Sequence, residues 1–176
     1  MIKLLNQNEQ LTKDVKQICF TPELLNQVVK KHKTHTRRIV KYAEDSTIAL
    51  PAKYHIGDIL FVGEEWQSYN FENKEYIIYK NDFPNIVQNM IKWYDAKSMT
   101  FNTSRTLLKV TSVWQQRLQD ITIEDIFKEG FYFPEIVPEN IIKQKFERFW
   151  DSLYPEQSEK QWRNNPYVWV YEFVML

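Results

Sequence analysis

Glycine is scarce, with only three in 176 residues. Neither a GxGxxG nor a GxxxxGK pattern occurs, which excludes the glycine-rich phosphate loops of dinucleotide-binding and P-loop proteins. The lone cysteine, Cys19, excludes an internal disulfide and a thiolate zinc cluster. In its apolar context "QICFTP" it reads as a small buried hydrophobe. His32, His35 and His55 form no metal-ligand pattern, so neither a metal nor a cofactor is expected. No apolar run approaches the roughly 18 residues of a membrane span. The opening "MIKLLNQNEQLTKD" has no signal-peptide apolar core. These absences predict a cytoplasmic protein with no membrane partner. Excess charge is lacking too: 23 basic residues balance 23 acidic ones, and the pI is near 6.8. A generic nucleic-acid coat would be basic overall, so any polyanion contact must come from a local patch.

What is present is core material. Hydrophobic residues make up 43% and aromatic residues 15% of the chain, which excludes wholesale disorder. With no repeat, low-complexity tract or linker, a single domain over residues 1–176 is expected. Residues 1–15 read as an extended lead-in or a first strand. "TPELLNQVVKKH" reads as a helix: Thr21 caps, Pro22 suits the first turn, Glu23 faces the positive end, and Leu24, Leu25, Val28 and Val29 form one apolar face. "YHIGDILFVGEEW" predicts a turn at Gly57–Asp58 opening a strand. "NKEYIIYK", "TSRTLLKVTSVWQQRL" and "PYVWVYEFVML" read as further strands. "FPNIVQNMIKWYDAKS" suggests a short helix inserted between strands. "ITIEDIFKEG" is a short helix, with Thr122 and Asp125 at capping spacing and Gly130 as its stop. "ENIIKQKFERFWDSLY" is a longer amphipathic helix with Ile142, Phe146, Phe149 and Trp150 inward. Strands framing short helices, with connections of uneven length, exclude a regular βαβ repeat. They predict an α+β fold with a mixed, mainly antiparallel sheet or small barrel.

Charge concentrates in "KKHKTHTRRIVK". Between Lys30 and Lys41 lie six formal positives and no acid. Phosphate rewards such a cluster through counterion release, and Arg37 and Arg38 add planar forks suited to phosphate or guanine. The competing reading is a solvated helix end plus ion pairs with the segment 120–139, which carries six acids against one lysine. If the stretch is extended, Lys33, His35 and Arg37 share one face while Thr34, Thr36 and Arg38 share the other. Candidate anion contacts are Lys30, Lys31, Thr34, His35, Arg37 and Arg38. Trp66 and Trp162, in polar surroundings, are candidate base-stacking platforms, whereas Trp150 and Trp169 have the spacing of core residues.

Several motifs together resemble one family. "KTHTRRIV" resembles the K-T-x-T-R-R signature opening many ASCH domains, which have a PUA-like β-barrel fold, particularly those of the phage and prophage subgroup. "YHIGDILFVGEEW" resembles that subgroup's Y-x-x-G-D-x-L-W-V-R-E-x-W segment. "SRTLLKVTSVWQQRLQDITIEDIFKEGF" is similar to its S-R-x-x-L-x-V-x-x-V-x-x-E-R-L-x-D-I-x-x-E-D-A-x-x-E-G-I stretch. "FERFWDSLY" and "WRNNPYVWVYEFVML" resemble its usual ending. The match runs in order over residues 17–176. Gly63 stands where an arginine is usual, Phe61 replaces a tryptophan, Gln116 replaces a glutamate, and "AKSMTFNT" replaces a P-S-I-H-M-P segment.

The resemblance implies an α+β, PUA-like ASCH barrel, mixed and mainly antiparallel, with short flanking helices. Its pocket would lie between "KTHTRR", "GEEW" and the helix bearing Glu129, with Glu64, Trp66, Arg105 and Trp162 as pocket residues and Glu64 opposite Lys33. The implied ligand is a nucleic acid, RNA favoured, or a nucleoside or nucleotide. The resemblance also implies a second activity. Small members of the wider family are amidohydrolases acting on acetylated cytidine, and their lysine, threonine and glutamate fall on Lys33, Thr36 and Glu129. A threonine nucleophile needs a base, and a lysine serves as one only when its pKa is lowered. Ribonuclease activity and a phage-type module binding a host protein are the remaining readings.

Overall fold

The structure is a computed structural model, and it describes residues 15–44, 47–133 and 136–176. Most of the expected lead-in, residues 1–14, lies outside the described residues. Seven strands are described: β1 (Lys16–Cys19), β2 (His35–Ile39), β3 (Ile59–Gly63), β4 (Trp66–Phe71), β5 (Lys74–Tyr79), β6 (Leu107–Arg117) and β7 (Tyr167–Met175). Four helices accompany them: α1 (Pro22–Val29), α2 (Asn85–Gln88), α3 (Ile123–Lys128) and α4 (Glu139–Ser152). The architecture is α+β and its strand pairing is mainly antiparallel, as the sequence predicts; β1 and β3 run parallel. The described residues form two compact units, one within 15–29, 57–109 and 175–176, the other within 30–44, 47–56, 110–133 and 136–174.

In the first unit β3 pairs with β1 and, antiparallel, with the start of β6. Leu60, Val62 and Leu108 are fully buried. Helix α1 buries Leu25 and Val28, and the backbone oxygen of Thr21 accepts from Leu25 N at 2.8 Å. Where the sequence shows one strand in "NKEYIIYK", the structure has a hairpin, β4–β5, turning at Glu72 and Asn73. Both turn residues have positive φ, 50° and 60°, the geometry of the tight hairpin turn whose twist matches the strands. The usual Asn-Gly pair is absent, so this turn gave no strong signal. Ile77, Tyr79 and Met99 form a small core with Trp66 against it.

Gly63 sits where a side chain has no room. A Cβ there would lie 2.5 Å from the Ala96 oxygen, 2.8 Å from Gln17 Nε2 and 2.9 Å from Cys19 Sγ. Backbone approaches this close admit only glycine. Cys19 itself is half-buried.

In the second unit β7 lies between β6 and β2, pairing antiparallel with β2. Its core gathers Leu118, Ile121, Ile126, Ile142, Phe146, Trp150, Val168 and Val170. Helix α4 contributes Ile142, Phe146 and Trp150 at helical spacing, the stripe that the sequence predicts. Helix α3 is short but punctuated at both ends. Thr122 and Asp125 form a reciprocal capping box. At the other end Gly130, at φ 96°, takes the left-handed position that ends helices. Gly130 N donates to Phe127 O at 2.9 Å and Phe131 N to Ile126 O at 3.3 Å, so the terminal carbonyls are satisfied.

Candidate nucleic-acid interface

Strand β2 builds the site. Its register sets Thr36 opposite Tyr171, Arg37 opposite Val170 and Arg38 opposite Trp169. Successive side chains of a strand point to opposite faces, so β2 carries two different chemistries.

One face is an ion-pair network. Lys33 is buried, and its ammonium donates to Glu129 Oε2 at 2.6 Å, to the Glu129 backbone oxygen at 2.8 Å and to the His35 oxygen at 2.7 Å. Those three bonds use all three donors of a lysine. Arg37, equally buried, donates from Nη1 to Glu129 Oε1 at 2.9 Å and from Nη2 to Asp125 Oδ2 at 3.0 Å. Thr34 N donates to Lys128 O at 2.9 Å. The two residues leading into β2 thus satisfy the last carbonyls of α3, and Lys33 adds a cation at the helix's negative end. Burial pushes the Lys33 ammonium down to about 8; Glu129 pulls it back up, and Arg38 and Arg37 push it further down. Glu129 divides its carboxylate between two cations, so it offsets only part of the burial cost to Lys33. Burial by itself would raise Glu129, but Lys33 and Arg37 together hold it below the ordinary carboxylate value. His35 is buried with its ring edge toward Trp114, centroids 5.8 Å apart, and its Nδ1 lies 3.0 Å from Thr34 Oγ1. Burial lowers its pKa.

The other face opens on a cavity of about 440 Å³, which Arg38, Lys41, Lys53, Lys160, Tyr54, Tyr154, Trp169 and Tyr171 line together with Ile39, Leu50 and Pro51. Arg38 Nη1 donates to Thr36 Oγ1 at 2.9 Å and to the Arg37 oxygen at 3.1 Å, which fixes the guanidinium. Lys53 N donates to the Tyr171 hydroxyl at 3.0 Å, tying the 51–54 loop to β7. Burial raises the Tyr154 and Tyr171 hydroxyl pKa values.

Lys33 and Glu129 are therefore brought together, while strand alternation turns Thr36 to the opposite face, where it accepts from Arg38. Among the expected anion contacts, Lys30 and Lys31 are exposed and Thr34 is half-buried. Arg37 and His35 sit in the interior, and Arg38 lines the cavity. The expected pocket residues are in other settings. Glu64, buried in the first unit, is gripped by Arg105: Nε reaches Oε1 and Nη2 reaches Oε2, both at 2.8 Å. Arg105 also donates to Asp82 Oδ2 at 2.6 Å and lies 4.1 Å from the Tyr79 ring centroid. Both Glu64 oxygens thus accept from Arg105. Trp66, half-buried, bonds Ser98 Oγ at 3.2 Å and lies against Tyr94, centroids 5.0 Å apart. Trp162 sits against the second unit's core with its ring edge toward Phe146 at 6.0 Å.

Sequence reading missed Lys53, Lys160, Tyr54 and Tyr154, and assigned Trp169 to the core. One signal was available: Trp169 and Tyr171 stand two apart on a strand, so they share a face. Nothing local to Lys53 or Lys160 marks them. Among the described residues no group of His, Cys, Asp and Glu is arranged to hold a metal ion, and no helix is long and apolar enough to cross a membrane.

No family model matches the chain, and no curated protein matches it. Solved structures similar to it include an ASCH domain from Lactobacillus crispatus, at 10% identity over 93% of this chain and 80% of that one, with a TM-score of 0.46. A DUF984 protein from Enterococcus faecalis is similar at 12% identity, over 96% of this chain and 82% of that one, with a TM-score of 0.48.

Proposed function

We propose that the chain is an ASCH-type module that binds nucleic acid, RNA in preference to DNA, through the Arg38 face of β2 and the exposed lysines beside it. The motif order supports the family reading: the K-T-x-T-R-R stretch forms β2, the G-D segment forms β3, and the S-R motif runs through β6 into α3. One observation carries the function. The basic stretch divides by strand parity, so that Lys33 and Arg37 pair with Glu129 and Asp125 while Arg38 turns to a cavity whose described lining residues are lysines, aromatic rings and apolar side chains, with no carboxylate among them. Exposed lysines such as Lys41, Lys53 and Lys160 attract phosphate, and rings beside them accept bases.

The test is fluorescence anisotropy of a labelled single-stranded RNA at rising salt. Log affinity should fall linearly with log salt, by about 0.7 for each phosphate neutralised. Replacing Arg38, Lys41 and Lys53, which line the cavity, together by Ala should weaken binding about tenfold or more and flatten that slope, since each charge-assisted contact contributes on the order of 1.5–3 kcal/mol. Absence of binding at low salt overturns the reading.

The hydrolase reading has less behind it. Lys33 has the lowered pKa that a base needs, and Glu129 is at hand. Yet all three ammonium donors are engaged and the threonine faces away, so no nucleophile–base contact of the usual kind is formed.

A further inference from the structure

We infer that the cavity on the Arg38 face is a subsite for a single nucleotide, its base against the rings and its phosphate on the lysines. This rests on the nucleic-acid reading and narrows it to a place and a ligand class.

The lining sorts by depth. Tyr54 and Tyr171 are buried, with centroids 5.1 Å apart and planes at 69°, and Tyr154 and Trp169 are half-buried. These rings form the floor and walls. Lys41, Lys53 and Lys160 are exposed and Arg38 is half-buried, so charge sits at the rim. Two rim lysines already lie over rings, Lys53 Nζ 5.0 Å from the Tyr54 centroid and Lys160 Nζ 5.6 Å from that of Tyr154. A ligand held there would meet cation and π-face within one side-chain length.

Three exposed lysines and four rings in one cavity narrow the ligand. A purely apolar molecule would desolvate the cations without pairing them, which is costly. Inorganic phosphate would leave the ring walls unused. A nucleoside would use the rings and leave the charges. A nucleotide satisfies both sets, and a volume of about 440 Å³ falls within the range of small-ligand sites. Arg38 is held in place by Thr36 and the Arg37 carbonyl, so its ordering cost is already met before a phosphate arrives. Trp169 Nε1 is buried with no hydrogen-bond partner among the described residues. Buried donors normally have one, and base carbonyls and ring nitrogens are acceptors. The nucleotide is either free or one residue of a single strand.

The intact chain would be titrated with the four nucleoside monophosphates, the matching nucleosides, inorganic phosphate and a short single-stranded RNA. Tryptophan fluorescence and calorimetry report binding. The expected result is quenching by monophosphates and affinity about tenfold or more above that of nucleosides or phosphate alone, since a charged hydrogen bond is worth about that factor. Lys53→Glu with Lys160→Glu, both on exposed residues, should weaken monophosphates and RNA at least tenfold, and Trp169→Phe, which keeps a ring but removes the Nε1 donor, should remove the quench and weaken monophosphates several-fold. Nucleosides binding as tightly as monophosphates, or the double charge reversal changing neither ligand, overturns the subsite. RNA binding that this reversal leaves intact, without monophosphate binding, overturns the subsite and keeps the nucleic-acid reading. Monophosphate binding without RNA binding at low salt does the opposite. RNA binding that the reversal weakens, with free monophosphates bound far less tightly, supports the subsite and assigns its nucleotide to a strand.

Discussion

Lys33 and Glu129 answer, residue by residue, what the crowded positive charge near position 35 is for. Part of it holds the fold together. A buried pair stabilises little relative to apolar replacement, but removing one partner strands the other charge. Glu129→Gln should therefore lower stability by about 3–5 kcal/mol, and Lys33→Ala by a similar amount, both read by urea unfolding. A loss of any activity in Lys33→Ala is thus interpretable only beside a stability measurement. The pH dependence follows from the two shifts. Glu129 is depressed below its ordinary value of 4.5, so its contribution is fully present above about 4.5 and is lost as pH falls through the folded value. Lys33 is lowered from 10.5 to about 8. Between those values the unfolded chain holds a proton that the folded chain has released, so stability rises with pH across that window. The difference in unfolding free energy between wild type and Lys33→Met, measured from pH 8 to 10.5, should shift in favour of wild type as pH rises. A flat difference would contradict the assigned shift.

At the scale of elements, α3 has only six residues, too few to persist alone. Its capping box, its glycine stop and the two bonds from residues 33 and 34 hold it where Glu129 and Asp125 meet β2. Gly130→Ala places a side chain at φ 96° and should cost about 1 kcal/mol or more. Since Glu129 caps this helix, that substitution should also loosen the Lys33 network, seen as faster amide exchange at Thr34. In β3, Gly63→Ala should cost about 1–3 kcal/mol, the usual penalty of overpacking, because the nearest obstacle is the Ala96 backbone oxygen rather than a mobile side chain. Thermal unfolding reads both, and the absence of a shift at Gly63 would mean that Ala96 yields.

For the whole molecule, a net charge of zero directs attention to distribution rather than sum. Local acids neutralise Lys33 and Arg37, while the described residues lining the neighbouring cavity include no acid. Ligand binding to the folded state alone must raise stability by mass action, by about 2.7 kcal/mol at a hundredfold excess over Kd. Single-stranded RNA should therefore raise Tm by several degrees for a chain of this size, with the gain vanishing at high salt. A salt-independent gain would point to a partner read by apolar contact, and a co-purifying protein that survives nuclease treatment would favour the host-protein reading.

The sequence by itself determined the elements whose signals are local: α1, α3 and α4 with their caps and stripes, the G-D turn before β3, the long strand β6 and the closing strand β7. It determined the mixed, mainly antiparallel class and the place of the cations. The β4 strand was illegible because its turn uses Glu-Asn rather than a glycine pair. Tertiary structure alone decided which cations of the stretch pair with the acids of α3 and its end, since that depends on which face of β2 meets α3. It alone brought Lys53, Tyr54, Tyr154 and Lys160 to Arg38, across separations of up to 122 residues. Periodicity reports which side chains share a face; which partner covers that face is settled only when distant segments pack, and that choice separates a buried ion pair from a cavity wall.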